Sequence, residues 1–437
     1  MIIFNPMKYY IKTFGCQMNF SDSERIASLL ENIGYKLAKE ISKADLVLIN
    51  TCSVRQSAED RVYGTLRNLN KNKVNNPKLL IAVTGCFAGK SPEKLQDKAD
   101  IVFDIKNLFT LPKLIKSFNQ KFKFNPKGDL YKDYDYLKLS PQYQSKFHAN
   151  VPIMTGCNNF CSYCVVPYAR GREYSRSCKD IIEEVELLIN KGYKAITLVG
   201  QNVNSYSNTL PNGNKINFPK LLQKVNNISG DFWIWFITSH PKDMSDELID
   251  AIATSKKVCN YIHLPVQAGS NTILKAMNRK YSREHYLELI DKIRNKLKYS
   301  SISTDTIVGY PNEKYNQFQQ TVDLYQKVNF DMAYIAQYSE RPGTAAAKLD
   351  DNIDCEEKKK REKILTDILI KSATNNNKKL LEKNISVLIE KYKNGNLIGK
   401  TKTYKTVKFP GKEKLVGNFA KVKITEAKDW GLEGKII

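Results

Sequence analysis

Apolar and polar residues follow two different periods in the first part of the chain. Amphipathic stretches with a helical period lie between three short apolar runs that have the length of buried strands. Ser21, with Glu24 three residues later, predicts a capping box at the start of the first helix. Strands separated by helices predict a doubly wound parallel α/β domain over residues 8–120. Its predicted strands are residues 9–14, 46–50 and 79–84.

The strand-then-helix pattern returns in the middle of the chain. A polar stretch without a clear period, residues 121–145, predicts a linker, and the pattern then recurs six times over residues 146–375. Six such units in series predict a full or partial (β/α) barrel, whose functional face lies at the carboxyl ends of its strands. The predicted strands are residues 151–154, 195–199, 233–238, 261–264, 301–307 and 332–337.

The pattern changes again over residues 376–437. Five short segments with glycine-containing turns predict a small all-β barrel or sandwich. Lysines alternate there with Tyr392, Tyr404, Phe409 and Phe419. Basic and aromatic side chains on a small barrel are typical of single-stranded nucleic-acid binding. The two phenylalanines are at least as well explained as the core of the barrel.

Composition adds a charge signal. The chain has 437 residues, 42% apolar and 26% charged, which excludes wholesale disorder. Lys and Arg number 69 against 45 Asp and Glu, so the formal charge is +24. We expect this excess to favour a polyanionic partner, nucleic acid or an anionic surface, although solvated surface charge would also account for much of it.

Neither a secretory leader nor a membrane span is predicted. The first residues lack a cleavage site, and the longest apolar runs, such as residues 232–237, fall far short of the roughly 18 residues that a span needs. We therefore expect a cytoplasmic protein with no membrane contact. Its nine cysteines would stay reduced there, as metal ligands, catalytic groups or buried side chains.

Three cysteines lie close together after the first predicted barrel strand, at Cys157, Cys161 and Cys164. A turn-rich loop is not a core element, so packing does not explain them. A structural zinc site takes four ligands, and the conceivable fourth ligands, His148 and Cys178, are irregularly placed. An iron–sulfur cluster fits better, because three cysteines on four irons leave one iron open for a substrate or cofactor.

Three further cysteines are far apart in sequence but equivalent in position. Cys16, Cys52 and Cys86 each follow a predicted strand of the first domain. The strands are parallel, so these residues should meet at one sheet edge, where open α/β sheets bind ligands. A helix follows Cys16 and another follows Cys52, and the N-terminus of each helix favours thiolate over thiol. Each alone would be a buried hydrophobe, but the recurrence predicts a second three-ligand cluster. The other cysteines lack such a pattern and are expected to be structural: Cys178, Cys259 and Cys355.

These motifs resemble a known family over essentially the whole chain, the radical S-adenosylmethionine methylthiotransferases. The similar segments include Cys16-Gln-Met-Asn, Thr51-Cys-Ser-Val-Arg, residues 155–176 and His263-Leu-Pro-Val-Gln. Residues 417–424 resemble the family's TRAM RNA-binding domain. The first two segments are similar to a branch of the family that modifies tRNA.

The resemblance implies a tRNA methylthiotransferase that converts N6-isopentenyladenosine beside the anticodon to its 2-methylthio derivative. It implies two 4Fe–4S clusters and two S-adenosylmethionine molecules per product. An aromatic C2–H is too weakly acidic for a side-chain base, whereas a deoxyadenosyl radical can take the hydrogen atom. The alternatives are threonylcarbamoyladenosine in tRNA, an aspartate of a ribosomal protein, or a non-catalytic iron–sulfur RNA-binding redox sensor.

The resemblance also implies roles for individual residues. Cys157, Cys161 and Cys164 would bind the cluster that holds S-adenosylmethionine, and Cys16, Cys52 and Cys86 the auxiliary cluster. Gln17 and Asn19 would lie beside the auxiliary ligands. Residues expected to contact S-adenosylmethionine are Tyr163, Gly200, Gln201, Ser239, Gln267, Asp305 and Arg341. Residues expected to contact tRNA are Arg170, Arg172, Arg176, Lys402, Lys405 and Lys421.

Some of these assignments have plainer explanations. Loop geometry would equally account for Gly200, and pairing with local acidic groups would account for the three arginines. The expected partners are the anticodon stem-loop of tRNA, an electron donor such as flavodoxin or ferredoxin, and a sulfur source. We expect the chain to act as a monomer.

Overall fold

The computed structural model describes residues 6–53, 56–74, 76–118 and 136–437. The chain forms two compact units. Most of the predicted linker, residues 121–135, lies outside the described residues. The first unit comprises Met1–Gln144, Thr155–Asn158 and Cys164–Arg176, and the second comprises Ser145–Met154, Asn159–Tyr163 and Ser177–Ile437.

The first unit contains a five-stranded sheet of order β2-β1-β3-β4-β5, in which every paired strand is parallel. Aliphatic side chains of the central strands and the helix after β3 form its core. The predicted parallel α/β domain is confirmed. Its elements are β1 Lys8–Thr13, α1 Gln17–Asn32, β2 Lys36–Leu37, β3 Leu46–Thr51, α2 Gln56–Lys73, β4 Leu80–Gly85, α3 Cys86–Lys90, β5 Ile101–Val102 and α4 Leu111–Phe118.

The first helix begins one turn earlier than the sequence indicated. Cys16 is the N-cap of α1, and Ser21 lies inside the helix, where its Oγ accepts a hydrogen bond from Arg25 Nη1 (2.7 Å). The predicted capping box is therefore wrong. Ser21 and Glu24 are buried inside α1, where Glu24 Oε1 accepts a hydrogen bond from Gln144 N–H (3.1 Å), so both side chains serve tertiary contacts and do not cap the helix.

The second unit contains six parallel strands in two sets, β6-β9-β12 and β13-β14-β15. Ile234 of β12 joins the sets through backbone hydrogen bonds to Lys257 and Cys259. This arc is the predicted partial (β/α) barrel. In chain order, with α5 and β8 belonging to the first unit, the elements from β6 to α12 are β6 His148–Pro152, β7 Met154–Thr155, α5 Val166–Arg170, β8 Tyr174–Ser175, α6 Cys178–Asn190, β9 Ala195–Val199, β10 Ser207–Thr209, β11 Lys215–Asn217, α7 Phe218–Asn227, β12 Trp233–Phe236, α8 Asp246–Thr254, β13 Tyr261–His263, α9 Asn271–Ala276, α10 Arg283–Lys296, β14 Ser301–Val308, α11 Tyr315–Val328, β15 Met332–Gln337 and α12 Cys355–Lys378.

Five strands form a closed barrel of order β16-β17-β18-β20-β19 at the end of the second unit. Phe409 is fully buried in the core of this barrel, which agrees with the explanation of this residue as a core side chain. The expected boundary at residue 376 falls inside α12, and the barrel begins after it. The strands are β16 Asn384–Lys393, β17 Asn396–Thr401, β18 Thr406–Pro410, β19 Phe419–Lys428 and β20 Gly431–Ile436. Within the described residues, none of the helices combines the length and apolarity needed to cross a bilayer.

Candidate functional site

The structure brings Cys16, Cys52 and Cys86 to one edge of the first unit's sheet. They follow β1, β3 and β4, which are neighbours in the sheet. Gly15 has φ +121°, and a Cβ placed on it would stand only 2.8 Å from the Cβ of Cys52, so the turn before Cys16 lies directly against Cys52. Cys86 is near enough to Cys16 for negative charge on Cys16 to raise the Cys86 pKa.

The environments of the three thiols differ. Cys16 is exposed at the N-cap of α1, whereas Cys52 and Cys86 are buried. Burial raises the pKa of the Cys86 thiol, and the positive charge of Arg170 opposes that rise. Cys86 is also the first residue of α3, where the helix N-terminus favours negative charge. Thiolate formation at this edge is therefore favoured by an opposite charge and a helix end, and opposed by desolvation.

An amide network holds the Cys16 turn on β3. Asn19 Oδ1 accepts a hydrogen bond from the Cys16 thiol (3.3 Å), and Asn19 Nδ2 donates to Asn50 Oδ1 (3.1 Å) and Thr51 O (3.0 Å). Asn50 Nδ2 donates in return to Asn19 O (2.8 Å). The expected place of Asn19 beside the cysteines agrees with these contacts. Gln17 is only partly exposed, and none of the described hydrogen bonds links it to a cysteine.

Arg170 lies at the same edge and not on the surface. Its Nε donates to Cys86 Sγ (3.2 Å) and its Nη2 to Asp22 Oδ2 (2.7 Å), and the Arg170 and Asp22 side chains are only 2% and 0% exposed. Arg176 is also buried. The prediction that these two arginines contact tRNA is therefore wrong, because a phosphate cannot reach a side chain enclosed by protein. Arg172 is exposed and remains a candidate.

Part of the second cysteine loop belongs to the first unit. Cys157 is buried and its N–H donates to Gly171 O (3.1 Å). Gly156 has φ +77°, and a Cβ there would stand 2.0 Å from Arg172 O, so only glycine fits. Cys164 is partly exposed just before α5. The hydrogen bond from Cys157 and the close approach of Gly156 thus hold the start of the loop against residues 171–172.

The remaining loop residues, including Cys161, belong to the second unit. Cys161 is buried, and its Sγ accepts a hydrogen bond from Arg279 Nη1 (3.4 Å). Phe160, before it, has φ +47° and its carbonyl accepts from Asn278 Nδ2 (2.9 Å). Ser162, after it, donates from its backbone N–H to Met277 O (3.0 Å). These bonds present the thiol of Cys161 to a buried guanidinium.

Buried polar atoms without partners gather in the loops after β9 and β12. They belong to side chains at the carboxyl ends of barrel strands and have no hydrogen-bond partner among the described residues: Gln201 Oε1, Asn202 Oδ1, both amide atoms of Asn204, and Ser239 Oγ. Buried polar groups are normally satisfied, so this edge fits a polar ligand. Gln201 and Ser239 were predicted here. Asn204 was missed, although the run Gln201-Asn-Val-Asn directly after a strand is a detectable signal.

Backbone strain marks the same face. Thr238 has φ +71° and Gln267 has φ +70°, conformations that side-chain-bearing residues rarely adopt and a β-branched residue least of all. Gln267 donates its N–H to Asp305 O (2.9 Å), and Asp305 Oδ2 lies 3.5 Å from His263 Nε2. His263 is not among the residues expected from the sequence to contact the cofactor. Thr238 directly precedes Ser239, and Gln267 is itself one of the residues expected to contact S-adenosylmethionine.

The other residues expected to contact S-adenosylmethionine lie in different environments. Tyr163 is partly buried and packs against a cluster that contains Tyr310, and Arg341 is buried. A Cβ on Gly200 would stand 2.5 Å from Met154 Cγ, so close packing explains this glycine without a ligand. His148, considered above as a zinc ligand, is paired with Thr197 Oγ1 (2.8 Å), and burial lowers its pKa to about 4.

Two of the predicted RNA-contact lysines in the C-terminal barrel are engaged inside the second unit. Lys405 Nζ donates to Asp331 Oδ1 (2.7 Å) and Asn377 Oδ1 (2.8 Å), and Lys402 Nζ donates to Lys256 O (2.8 Å). The nearly buried ion pair of Lys405 with Asp331 contradicts the prediction that Lys405 binds RNA, whereas Lys402 is partly exposed and stays a prediction. Lys421 is exposed, as that role requires.

Two aromatic side chains of this barrel also make contacts inside the second unit. Tyr404 stacks on Tyr261 of β13, with ring centroids 4.7 Å apart. Phe419 packs on Trp233 of β12 at 4.6 Å. Both rings therefore attach the small barrel to the (β/α) arc. Tyr392 is exposed.

No three His, Cys, Asp or Glu side chains within the described ranges are close enough together to hold a single metal ion. The ligand sets proposed here are for iron–sulfur clusters, in which each thiolate binds a different iron, so the sulfurs stand farther apart than around one ion. A buried donor fits such a group: Arg170 Nη1, beside Cys86, has no hydrogen-bond partner in the described part of the chain. Cluster sulfur would be an acceptor for it.

Comparison with known families matches three segments. Residues 8–105 match the uncharacterized protein family UPF0004, residues 151–325 the radical SAM superfamily and residues 381–437 the TRAM domain. Among similar proteins, a tRNA-2-methylthio-N(6)-dimethylallyladenosine synthase of Thermoanaerobacter pseudethanolicus is 46% identical over 98% of this chain and 92% of its own length. A protein of the same name from Syntrophomonas wolfei is 47% identical over 99% and 98%.

Solved structures share the fold at low identity. The cobalamin-dependent S-adenosylmethionine radical enzyme OxsB has a TM-score of 0.54 at 12% identity, covering 83% of this chain and 56% of its own. The radical S-adenosylmethionine methyltransferase TsrM from Kitasatospora setae has a TM-score of 0.53 at 12% identity, covering 78% and 77%. These similarities concern the fold alone.

Proposed function

The chain belongs to the family of tRNA-2-methylthio-N(6)-dimethylallyladenosine synthases, and we propose that it converts N6-isopentenyladenosine beside the anticodon of tRNA to its 2-methylthio derivative. It is a radical S-adenosylmethionine enzyme that uses 4Fe–4S clusters. One observation carries the proposal: Cys16, Cys52 and Cys86, distant in sequence, meet at one sheet edge beside a buried arginine.

Six cysteines are proposed to hold the two clusters. Cys16, Cys52 and Cys86 would hold the auxiliary cluster, and Cys157, Cys161 and Cys164 would hold the other. When bound, the clusters supply the electron for reductive cleavage of S-adenosylmethionine and a place where the transferred sulfur is held. The protein's own part is to orient: the amides of Asn19 and Asn50 fix the Cys16 turn, and the bonds to Phe160 and Ser162 fix Cys161.

S-adenosylmethionine is proposed to bind at the carboxyl ends of β9 and β12. Its amino, carboxylate and ribose groups would satisfy the buried atoms of Gln201, Asn204 and Ser239. His240, next to Ser239, stays neutral, because burial and the charges of Arg279 and Lys242 lower its pKa to about 2. A neutral His240 adds no positive charge to a site proposed to hold a sulfonium cation.

The positive surface is proposed to bind the tRNA backbone. Arg172 and Lys421 are exposed, and the chain carries a formal charge of +24. An electron donor of the flavodoxin or ferredoxin kind and a sulfur source complete the proposed partners. We propose that the enzyme acts as a monomer in the cytoplasm.

Mass analysis of tRNA nucleosides tests the substrate. Cells that lack the protein should accumulate isopentenyladenosine without its 2-methylthio derivative, and the wild-type gene should restore the product while a Cys52→Ala gene should not. Loss of the threonylcarbamoyladenosine derivative instead would reassign the substrate. A redox sensor would release no methionine or 5′-deoxyadenosine from S-adenosylmethionine under reducing anaerobic conditions, so that assay separates an enzyme from a sensor.

A further inference from the structure

Each unit buries one arginine against one of the proposed cluster ligands. Arg170 Nε donates to Cys86 Sγ at 3.2 Å in the first unit, and Arg279 Nη1 donates to Cys161 Sγ at 3.4 Å in the second. Both side chains are buried. We propose that these two arginines set the reduction potentials of the two clusters, Arg170 for the auxiliary cluster and Arg279 for the cluster that binds S-adenosylmethionine. This inference rests on the cluster assignments of the proposed function.

The physical basis is charge. Reduction adds one electron to a cluster, so a hydrogen bond or positive charge at a ligand sulfur stabilises the reduced form and raises the reduction potential. A guanidinium cannot lose its proton in a protein, so the effect does not vary with pH. Low dielectric around a buried charge makes the interaction stronger than it would be in water.

Arg170 is positioned for this role by a fixed partner. Its Nη2 pairs with Asp22 Oδ2 at 2.7 Å, and both side chains are inaccessible to solvent. A buried ion pair is costly unless its remaining hydrogen-bonding atoms are satisfied. Arg170 Nη1 and Asp22 Oδ1 have no partners among the residues described, and cluster sulfur would satisfy Nη1. The site is therefore better explained as a cluster contact than as a structural ion pair alone.

Arg279 is held by neutral groups. Its Nη2 donates to Pro265 O (2.8 Å) and its Nε to Tyr281 OH (2.9 Å), with the guanidinium 5.1 Å from the centre of the Tyr281 ring. No carboxylate in the described chain lies within ion-pair distance of it. Its positive charge is not compensated, whereas Asp22 compensates that of Arg170. The shift caused by losing Arg279 should therefore exceed the shift caused by losing Arg170.

Redox titration followed by electron paramagnetic resonance tests the inference on anaerobically reconstituted full-length protein. Each signal is assigned in variants that lack the three cysteines of the other set. Arg170→Gln should lower the midpoint potential of the auxiliary cluster only, and Arg279→Gln that of the other cluster only. Asp22→Asn should shift the auxiliary potential upward, because it removes a compensating negative charge. Arg67→Gln, at an exposed site of α2, should shift neither.

Two results would overturn the inference about the arginines. Variants that keep their iron but show unchanged potentials would overturn the inference, as would a downward shift in Asp22→Asn. If Arg170→Gln loses its cluster, the sign of the Asp22→Asn shift still answers the question. Absence of clusters from the wild-type protein would instead refute the proposed function, so the two failures are distinguishable.

Discussion

Gly85 offers a sharp test of how the auxiliary site is built. It precedes Cys86 with φ +94° and ψ −165°, a backbone region that only glycine occupies readily. A Cβ there would stand 2.4 Å from both Asn50 Oδ1 and Thr51 O, and Thr51 O cannot move without disturbing β3. We expect Gly85→Ala to cost roughly 1–3 kcal/mol of strain and about 1–3 kcal/mol of overpacking.

The expected functional result is loss of one cluster. Displacing Cys86 from the edge should leave about half of the wild-type iron, while cleavage of S-adenosylmethionine continues. Gly34→Ala is the matched control: Gly34 has φ +96° in the same unit but nothing within 4 Å of its Cβ position. Thermal unfolding and iron analysis measure both effects. Equal destabilisation of the two variants, or full iron in Gly85→Ala, would refute the steric argument.

Four further predictions follow from the same structure. Cys16→Ala should hold about half of the iron and still release 5′-deoxyadenosine, and loss of that release would show that the cluster roles are assigned wrongly. Affinity for tRNA should fall by about 10³–10⁵ between 50 and 200 mM salt if six to ten phosphates are contacted, and a flat response in a filter-binding assay would contradict this. Lys405→Ala should destabilise the protein by roughly 1–3 kcal/mol in denaturant titration, because the Asp331 side chain, only 9% exposed, loses its cationic partner and keeps the hydrogen bond from Ile302 N–H, whereas Lys421→Ala should weaken tRNA binding and leave stability unchanged. His148 has a pKa of about 4 in the folded protein against about 6.5 unfolded, so stability should rise with pH by up to about 1.4 kcal/mol per unit between those values and His148→Gln should flatten that slope.

The sequence alone determined the architecture and the proposed ligands. Strand and helix periods are local, so the parallel sheet, the six-strand arc and the five-strand barrel were all predicted before any contact was known. The proposed ligands followed from chain spacing and from the rule that residues after parallel strands meet at one edge. That rule placed Cys16, Cys52 and Cys86 together although about 35 residues separate each from the next.

Only the tertiary structure decided what the charged residues do. Arg170, Arg176 and Lys405 looked like phosphate contacts because a cation has the same sequence signature on a surface and in the interior. Burial depends on what packs over a side chain, and the partners, such as Asp22 for Arg170 and Asp331 for Lys405, are remote in sequence. In the low-dielectric interior these charges interact strongly with their partners, a thiol and a carboxylate for Arg170 and a carboxylate for Lys405.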